Sequence, residues 1–134
     1  MLHTEQLNKL IKIRRELHAN PEISNTEFNT QKRIADYLHS DSDAEVQNVG
    51  KTGVLATFTS DLDGPTIMIR GDIDALPIAE TNTFKHASKV AGVSHKCGHD
   101  GHTTILLGLA KLLSTNKILK GKVILLFRFR MPVH

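Results

Sequence analysis

The sequence predicts an α/β domain, and three observations carry that prediction. Apolar residues recur at helical spacing in two segments near the N-terminus, short runs of strand character follow, and a third helical pattern leads into five consecutive apolar residues, Val123–Phe127. Helices interleaved with buried strands cover their apolar faces most simply by packing in layers. At 134 residues the chain is one domain by length, enough to bury roughly two-thirds of the surface its unfolded form exposes.

The first helix is expected over about residues 4–19, where Leu7, Leu10, Ile11, Arg14 and Leu17 fall at helical spacing behind a possible N-cap at Thr4. It stops at Asn20-Pro21, because proline disfavours helical geometry in the residue before it. Ser24-Asn25-Thr26-Glu27 reads as a capping box opening a second helix, with Phe28, Gln31, Ile34, Ala35 and Leu38 near one face. Ser40-Asp41-Ser42-Asp43 ends it. Strands are expected at Glu45–Asn48, Gly53–Thr59 and Thr66–Arg70, the last two separated by the turn Asp61-Leu62-Asp63-Gly64-Pro65. From Gly71 to His99 the chain reads mostly as loop. Asp100 can then cap a helix running from about Gly101 to Ser114, with Ile105, Leu106, Leu109, Leu112 and Leu113 as its buried stripe. Lys122–Phe127 follows, and its unbroken apolar run suits the interior of a sheet covered on both faces.

Hydrophobic residues make up 40% of the chain and charged ones 23%, as in ordinary globular proteins. The net charge of +3 comes from scattered lysines and arginines without a basic run, which argues against nucleic acid as a partner. A single cysteine cannot form an internal disulfide, so a reducing compartment fits. Met1-Leu2-His3-Thr4-Glu5-Gln6 lacks the pattern of a signal peptide, and no apolar run reaches bilayer-spanning length. The expectation is a cytoplasmic protein with no membrane association.

The densest chemistry lies between His95 and His102, where three histidines, Asp100 and the only cysteine, Cys97, share eight positions with Gly98 and Gly101. His95, Cys97 and His99 are spaced i, i+2, i+4, so an extended backbone would project all three to one side. Thiolate and imidazole suit zinc and related transition metals. The alternative is an inert buried cysteine among surface histidines. A second candidate, Arg70-Gly71-Asp72-Ile73-Asp74-Ala75-Leu76-Pro77, leaves the end of an apolar strand, where α/β folds commonly place ligand chemistry. Asp72 and Asp74 there can face one way, or simply form a solvated turn. His18 sits at a helix end and reads as structural. Gly50-Lys51-Thr52 looks like the tail of a phosphate-binding loop, but Glu45 stands where the first glycine is required, which rejects nucleotide binding.

Taken together, Arg14-Arg15-Glu16-Leu17-His18 with Pro21-Glu22, then Arg70–Pro77, then His95-Lys96-Cys97-Gly98-His99-Asp100-Gly101-His102-Thr103 resemble, in order and spacing, the metal-dependent amidohydrolases of the aminoacylase/carboxypeptidase superfamily. The branch is that of hippurate hydrolase, N-acetyldiaminopimelate deacetylase and the auxin-conjugate hydrolases, and the resemblance runs from about residue 5 to Phe127. It implies the N-terminal portion of a zinc-peptidase-like catalytic domain, a mixed sheet flanked by helices. It also implies hydrolysis of the amide of N-acyl amino acids, the small-molecule substrates, at a centre of two divalent ions (Zn, Mn or Co). On this resemblance Cys97 and His99 match metal ligands, and Asp72 and Asp74 match catalytic aspartates beside the metals, Asp74 being the better match to the family's supporting acidic residue.

Relatives continue after the apolar strand with Gln-Pro-Ala-Glu-Glu, which supplies the general base and a metal ligand, and later with two ligand histidines and an inserted dimerisation domain. Here Phe127 is followed by Arg128-Phe129-Arg130-Met131-Pro132-Val133-His134. The expectation is that residues 1–134 are a partial catalytic domain without the dimerisation domain. It would be a truncated product inactive by itself, with last residues from a shifted frame or an early stop. Half of a split enzyme, or a non-enzymatic metal-binding or interaction module, are the alternatives. Loss of neighbours to Val123–Phe127 would also expose apolar edge and favour self-association.

Overall fold

A computed structural model of the chain describes residues 2–129. Arg130–His134, most of the departure from the family pattern, lie outside the described residues. The order of elements is α1 (Thr4–Ala19), α2 (Phe28–Asp41), β1 (Glu45–Val49), β2 (Gly53–Thr59), β3 (Thr66–Asp72), α3 (His99–Thr115) and β4 (Lys122–Arg128). The four strands form one mixed sheet in the order β1-β2-β4-β3, with β2 antiparallel to β1 and β4, and β3 parallel to β4. The connection β3–α3–β4 is therefore a βαβ crossover, and the α/β expectation is borne out.

Cross-strand register places Val54, Ala56 and Phe58 of β2 beside Phe127, Leu125 and Val123 of β4, and these beside Gly71, Ile69 and Ile67 of β3. This face carries the core. Val54, Ala56, Leu125 and Phe127 are fully buried against Leu10, Ile13 and Leu17 of α1, Ile34 and Leu38 of α2, and Leu106, Leu107 and Ala110 of α3. Each large aliphatic or aromatic side chain so enclosed contributes about 1.5–3 kcal/mol of transfer free energy. The opposite face, with Leu55, Ile124 and Leu126, is only half-buried. The double coverage expected for β4 is thus corrected: among the described residues the core is on one face.

β4 does lie inside the sheet, with both neighbours present. The exposed edge is β3 instead, where Ile67 (54%), Met68 (56%) and Ile69 (38%) remain accessible. The chain's apolar edge was therefore misplaced by one strand, because apolarity does not tell strand order.

The bounds of α1 and α3 fall within two residues of expectation, α2 starts at Phe28 and not within Ser24–Glu27, and three caps differ. α1 is preceded by His3, whose backbone N–H donates to Gln6 Oε1 at 2.8 Å, not by Thr4. α2 is preceded by Glu27, and two amides of its first turn go to Glu22: Asn29 N–H and Thr30 N–H donate to that carboxylate at 3.2 and 2.6 Å. Ser24 is free of the capping box. α3 follows Gly98, and Asp100 lies inside its first turn. The stripe of α3 is also rotated: Thr103, Leu106, Leu107 and Ala110 are buried and Ile105 is 69% exposed. The segment Ile105–Leu113 is apolar on several sides, so composition cannot choose the phase. Tight approach does: a Cβ on Gly71 would meet Leu106 Cδ1 at 2.6 Å.

Glu27 is fully buried, with one oxygen accepting from Thr52 Oγ1 at 3.1 Å and Oε2 without a partner among the described residues. Burial pushes its carboxyl above the usual range. A carboxyl raised on folding stabilises below its unfolded pKa and loses that contribution as pH rises through the folded value. Urea unfolding of the chain and of Glu27→Gln at pH 4 and pH 7 should therefore show the difference moving in favour of the variant at pH 7. A difference that does not change with pH contradicts this.

Candidate metal centre

The site is assembled from three segments, each held by backbone pairing. β3 ends at Asp72, and Ile73 continues beside β4 by donating its N–H to Arg128 O at 3.2 Å. Ala75 N–H donates to Glu22 O at 2.8 Å, and Ile23 and Ala75 form a parallel bridge. The Pro21-Glu22 motif thus ties down the aspartate segment while Glu22 caps α2. Leu76 and Ser94 exchange backbone hydrogen bonds, each 2.9 Å, which brings the cysteine loop alongside. That loop turns at His95–Gly98, with Gly98 N–H donating to His95 O at 3.2 Å. Gly98 takes φ +85°, a left-handed conformation open to glycine without steric cost, and α3 begins at His99.

His99 is buried at the N-terminus of α3. Its Nδ1 lies 2.8 Å from Asp74 O and 3.1 Å from Asp74 Oδ1. Two acceptors at Nδ1 require the proton there, so in the neutral ring Nε2 presents a lone pair. Nε2 lies 3.6 Å from Asp72 Oδ2. Asp72 is also 3.2 Å from the guanidinium of Arg70, which in turn donates to Phe129 O at 3.0 Å. One turn along α3, the His102 ring stands 5.4 Å from that of His99. Asp72, His99 and His102 offer ligand atoms that all lie within 4.8 Å of one another. Cys97 Sγ sits 3.8 Å from Asp74 O, the carbonyl that also receives His99. Burial pushes the Cys97 thiol up in the metal-free chain.

Of the residues singled out in the sequence, Asp72, Asp74, Cys97 and His99 thus meet around one carbonyl and one ring. His95 does not join them as its spacing suggested, because residues 95–98 form a turn and not an extended run. It is buried, neither ring nitrogen has a hydrogen-bond partner among the described residues, and burial pushes the imidazole down to about 4. His102, to which the sequence assigns no role, joins the cluster instead. The signal was available: residues i and i+3 on a helix share a face, and His99 and His102 have that spacing.

Behind the site, His18 is buried between two carboxylates, with Nδ1 2.9 Å from Asp100 Oδ2 and Nε2 2.6 Å from Glu80 Oε2. Glu80 also accepts from Ser88 N–H at 2.6 Å. The structural role read for His18 is to fasten α1, the segment 80–88 and the first turn of α3 together.

Comparison with known proteins bears on the fold. The sequence pattern of Peptidase family M20/M25/M40 matches residues 68–129. The chain is 45% identical over 116 residues to an N-acyl-L-amino acid amidohydrolase of Geobacillus stearothermophilus, covering 86% of this chain and 31% of the relative. It is 47% identical over 121 residues to the N-acetyl-L-cysteine deacetylase of Bacillus subtilis, covering 90% and 29%. Among solved structures, the YXEP protein of Bacillus subtilis, described as a dinuclear metal binding peptidase of the M20 family, superposes with a TM-score of 0.85 at 46% identity, over 90% of this chain and 34% of that one. Over residues 68–129 the chain carries the Peptidase family M20/M25/M40 pattern, and its fold is similar to that of an M20 peptidase.

The M20/M25/M40 match begins within β3 and ends after β4, so it contains Asp72, Asp74, Cys97, His99 and His102. The chain spans about 30% of the length of the curated relatives it matches. No helix among the described residues is long and apolar enough to cross a membrane.

Proposed function

We propose that this chain forms the metal-binding part of an amidohydrolase that cleaves the amide bond of N-acyl amino acids, with Cys97 and His99 as ligands to a divalent ion, Asp74 supporting His99, and Asp72 beside the metal. The observation that carries the reading is the arrangement at His99: Nδ1 is held by Asp74 while Nε2 faces Asp72 and His102. The names of the relatives support the substrate class. A donor set of thiolate, imidazole and carboxylate fits zinc, cobalt or manganese. His99 presents a preoriented lone pair, as a ligand histidine with an acceptor behind it should.

When bound, the ion supplies Lewis acidity and acidifies water to near-neutral pKa. The protein's own groups position the donors. Asp74 fixes the His99 tautomer and ring plane, Arg70 holds the Asp72 carboxylate, and the turn at Gly98 aims Cys97 and His99 from one rigid helix start. Hydrolysis further needs a general base and more ligands than this cluster contains. Residues 1–134 are accordingly read as part of a catalytic domain whose cluster does not suffice for hydrolysis alone. The apolar edge at Ile67, Met68 and Ile69, exposed among the described residues, is where further strands would pair, whether from the same polypeptide or, in a split enzyme, from another.

Cobalt(II) titration followed by absorbance tests the metal reading, with a saturable site and a thiolate-to-metal band expected. Absence of uptake at millimolar cobalt sinks it. Acetyl- and benzoyl-amino acids should not be cleaved by the chain alone with added Zn, Mn or Co. Turnover abolished by Cys97→Ser would overturn the inactivity.

A further inference from the structure

We propose that Ser24 is a positioning residue that holds the Asp74 carboxylate on His99. This rests on the reading of His99 as a metal ligand, but its geometry stands separately. Ser24 Oγ donates to Asp74 Oδ2 at 2.6 Å, and the other oxygen of the same carboxylate, Oδ1, is 3.1 Å from His99 Nδ1. A hydroxyl fifty residues away in sequence is thereby linked through one buried carboxylate to the imidazole.

The hydroxyl has no other task. The capping-box role its position suggests is taken over by Glu22, which receives the Asn29 and Thr30 amides, and α2 starts only at Phe28. Among the described residues Ser24 makes no hydrogen bond except that to Asp74. It is exposed, so it contributes little to the core. Its placement, by contrast, is specified closely. Ile23 bridges Ala75 and Glu22 O receives Ala75 N–H, so the segment that carries the hydroxyl is the one that fixes the backbone of Asp74. Asn25 then takes φ +70° and turns the chain away toward α2. Asparagine is among the residues that tolerate this left-handed conformation best.

What the hydroxyl adds follows from the two acceptors at Nδ1. The Asp74 carbonyl, at 2.8 Å, sets which nitrogen carries the proton whatever the side chain does. The carboxylate adds negative charge beside that proton, a charge-assisted hydrogen bond that makes Nε2 a stronger donor. An aspartate side chain can leave this position by one rotation about χ1. Ser24 occupies the far oxygen and holds the rotamer in which Oδ1 stays on the ring.

The test compares wild type, Ser24→Ala and Ser24→Thr in the 134-residue chain by cobalt(II) titration and by the His99 Nδ1 proton resonance of the metal-free protein. Groups behind a metal ligand commonly change affinity 10–100-fold. Ser24→Ala should weaken cobalt binding about tenfold, the lower end of that range, shift the Nδ1 proton upfield and speed its exchange with water. Its melting temperature should be unchanged, and Ser24→Thr, which restores a hydroxyl, should restore both readouts. Equal cobalt affinity in wild type and Ser24→Ala overturns the proposal. If wild type itself takes up no cobalt, the ligand reading fails and the proton decides alone: a shifted resonance in Ser24→Ala supports the link through Asp74, and an unmoved one overturns it.

Discussion

Replacing His99 by alanine is expected to abolish cobalt(II) binding, and replacing Cys97 by serine to weaken it at least about a hundredfold, the top of the range for groups that merely support a ligand. The two residues stand on different evidence. His99 belongs to both descriptions of the centre: the sequence pattern couples it with Cys97, and the geometry couples it with Asp72 and His102. Every arrangement of the site therefore loses a donor in His99→Ala. Cys97 lies just outside the tightest cluster but shares the Asp74 carbonyl with His99. A thiolate is softer and more strongly donating toward zinc or cobalt than a serine hydroxyl, which stays protonated near neutral pH. His102→Ala completes the comparison. Loss of binding in His102→Ala with retention in Cys97→Ser would replace Cys97 by His102 as the partner of His99. The thiolate-to-cobalt band should vanish in Cys97→Ser in any case where Cys97 is a ligand.

The second large effect is on the fold. Phe127→Ala should destabilise the chain by about 3–5 kcal/mol, the usual cost of truncating a buried aromatic residue. Total stabilities are only about 5–15 kcal/mol, so this removes a large fraction of the folding free energy and should lower the urea midpoint markedly. Phe127 is fully buried and lies in register with Val54 on one side and Gly71 on the other. The missing ring would leave a cavity where β2, β3 and β4 meet the core, one residue from Asp72. Leu126, on the half-buried opposite face, supplies the control. Leu126→Ala should cost less than half as much in urea unfolding, and equal costs would contradict the one-sided core described above.

The motifs that carry the resemblance were legible because they are local. Asp72 and Asp74 stand two apart, and Cys97 and His99 two apart, so their grouping needed no tertiary information. His102 is equally local, but it shares a helix face with His99 only because α3 starts at His99, before the helix the sequence predicts from about Gly101. His95 was misjudged for a similar reason. Its alternation with Cys97 and His99 presumes an extended backbone, and Gly98 turns the chain there instead. The Ser24–Glu27 spacing similarly fits a capping box in isolation. Instead α2 starts at Phe28, and Glu22 receives the Asn29 and Thr30 amides from a segment whose backbone is tied to Ala75.

By itself the sequence determined the α/β class, the span of α1, the extent of β2 and the residues of the chemical motifs. These follow from periodicity, proline and glycine placement and residue type, which act over a few positions. Only the tertiary structure decided strand order, the phase of α3, the exposed edge at β3 and the partners of Ser24 and Asp74. Those depend on which surfaces meet after the chain closes loops of tens of residues. Short-range patterns carry no term for that choice; burial and hydrogen-bond satisfaction across the whole core make it.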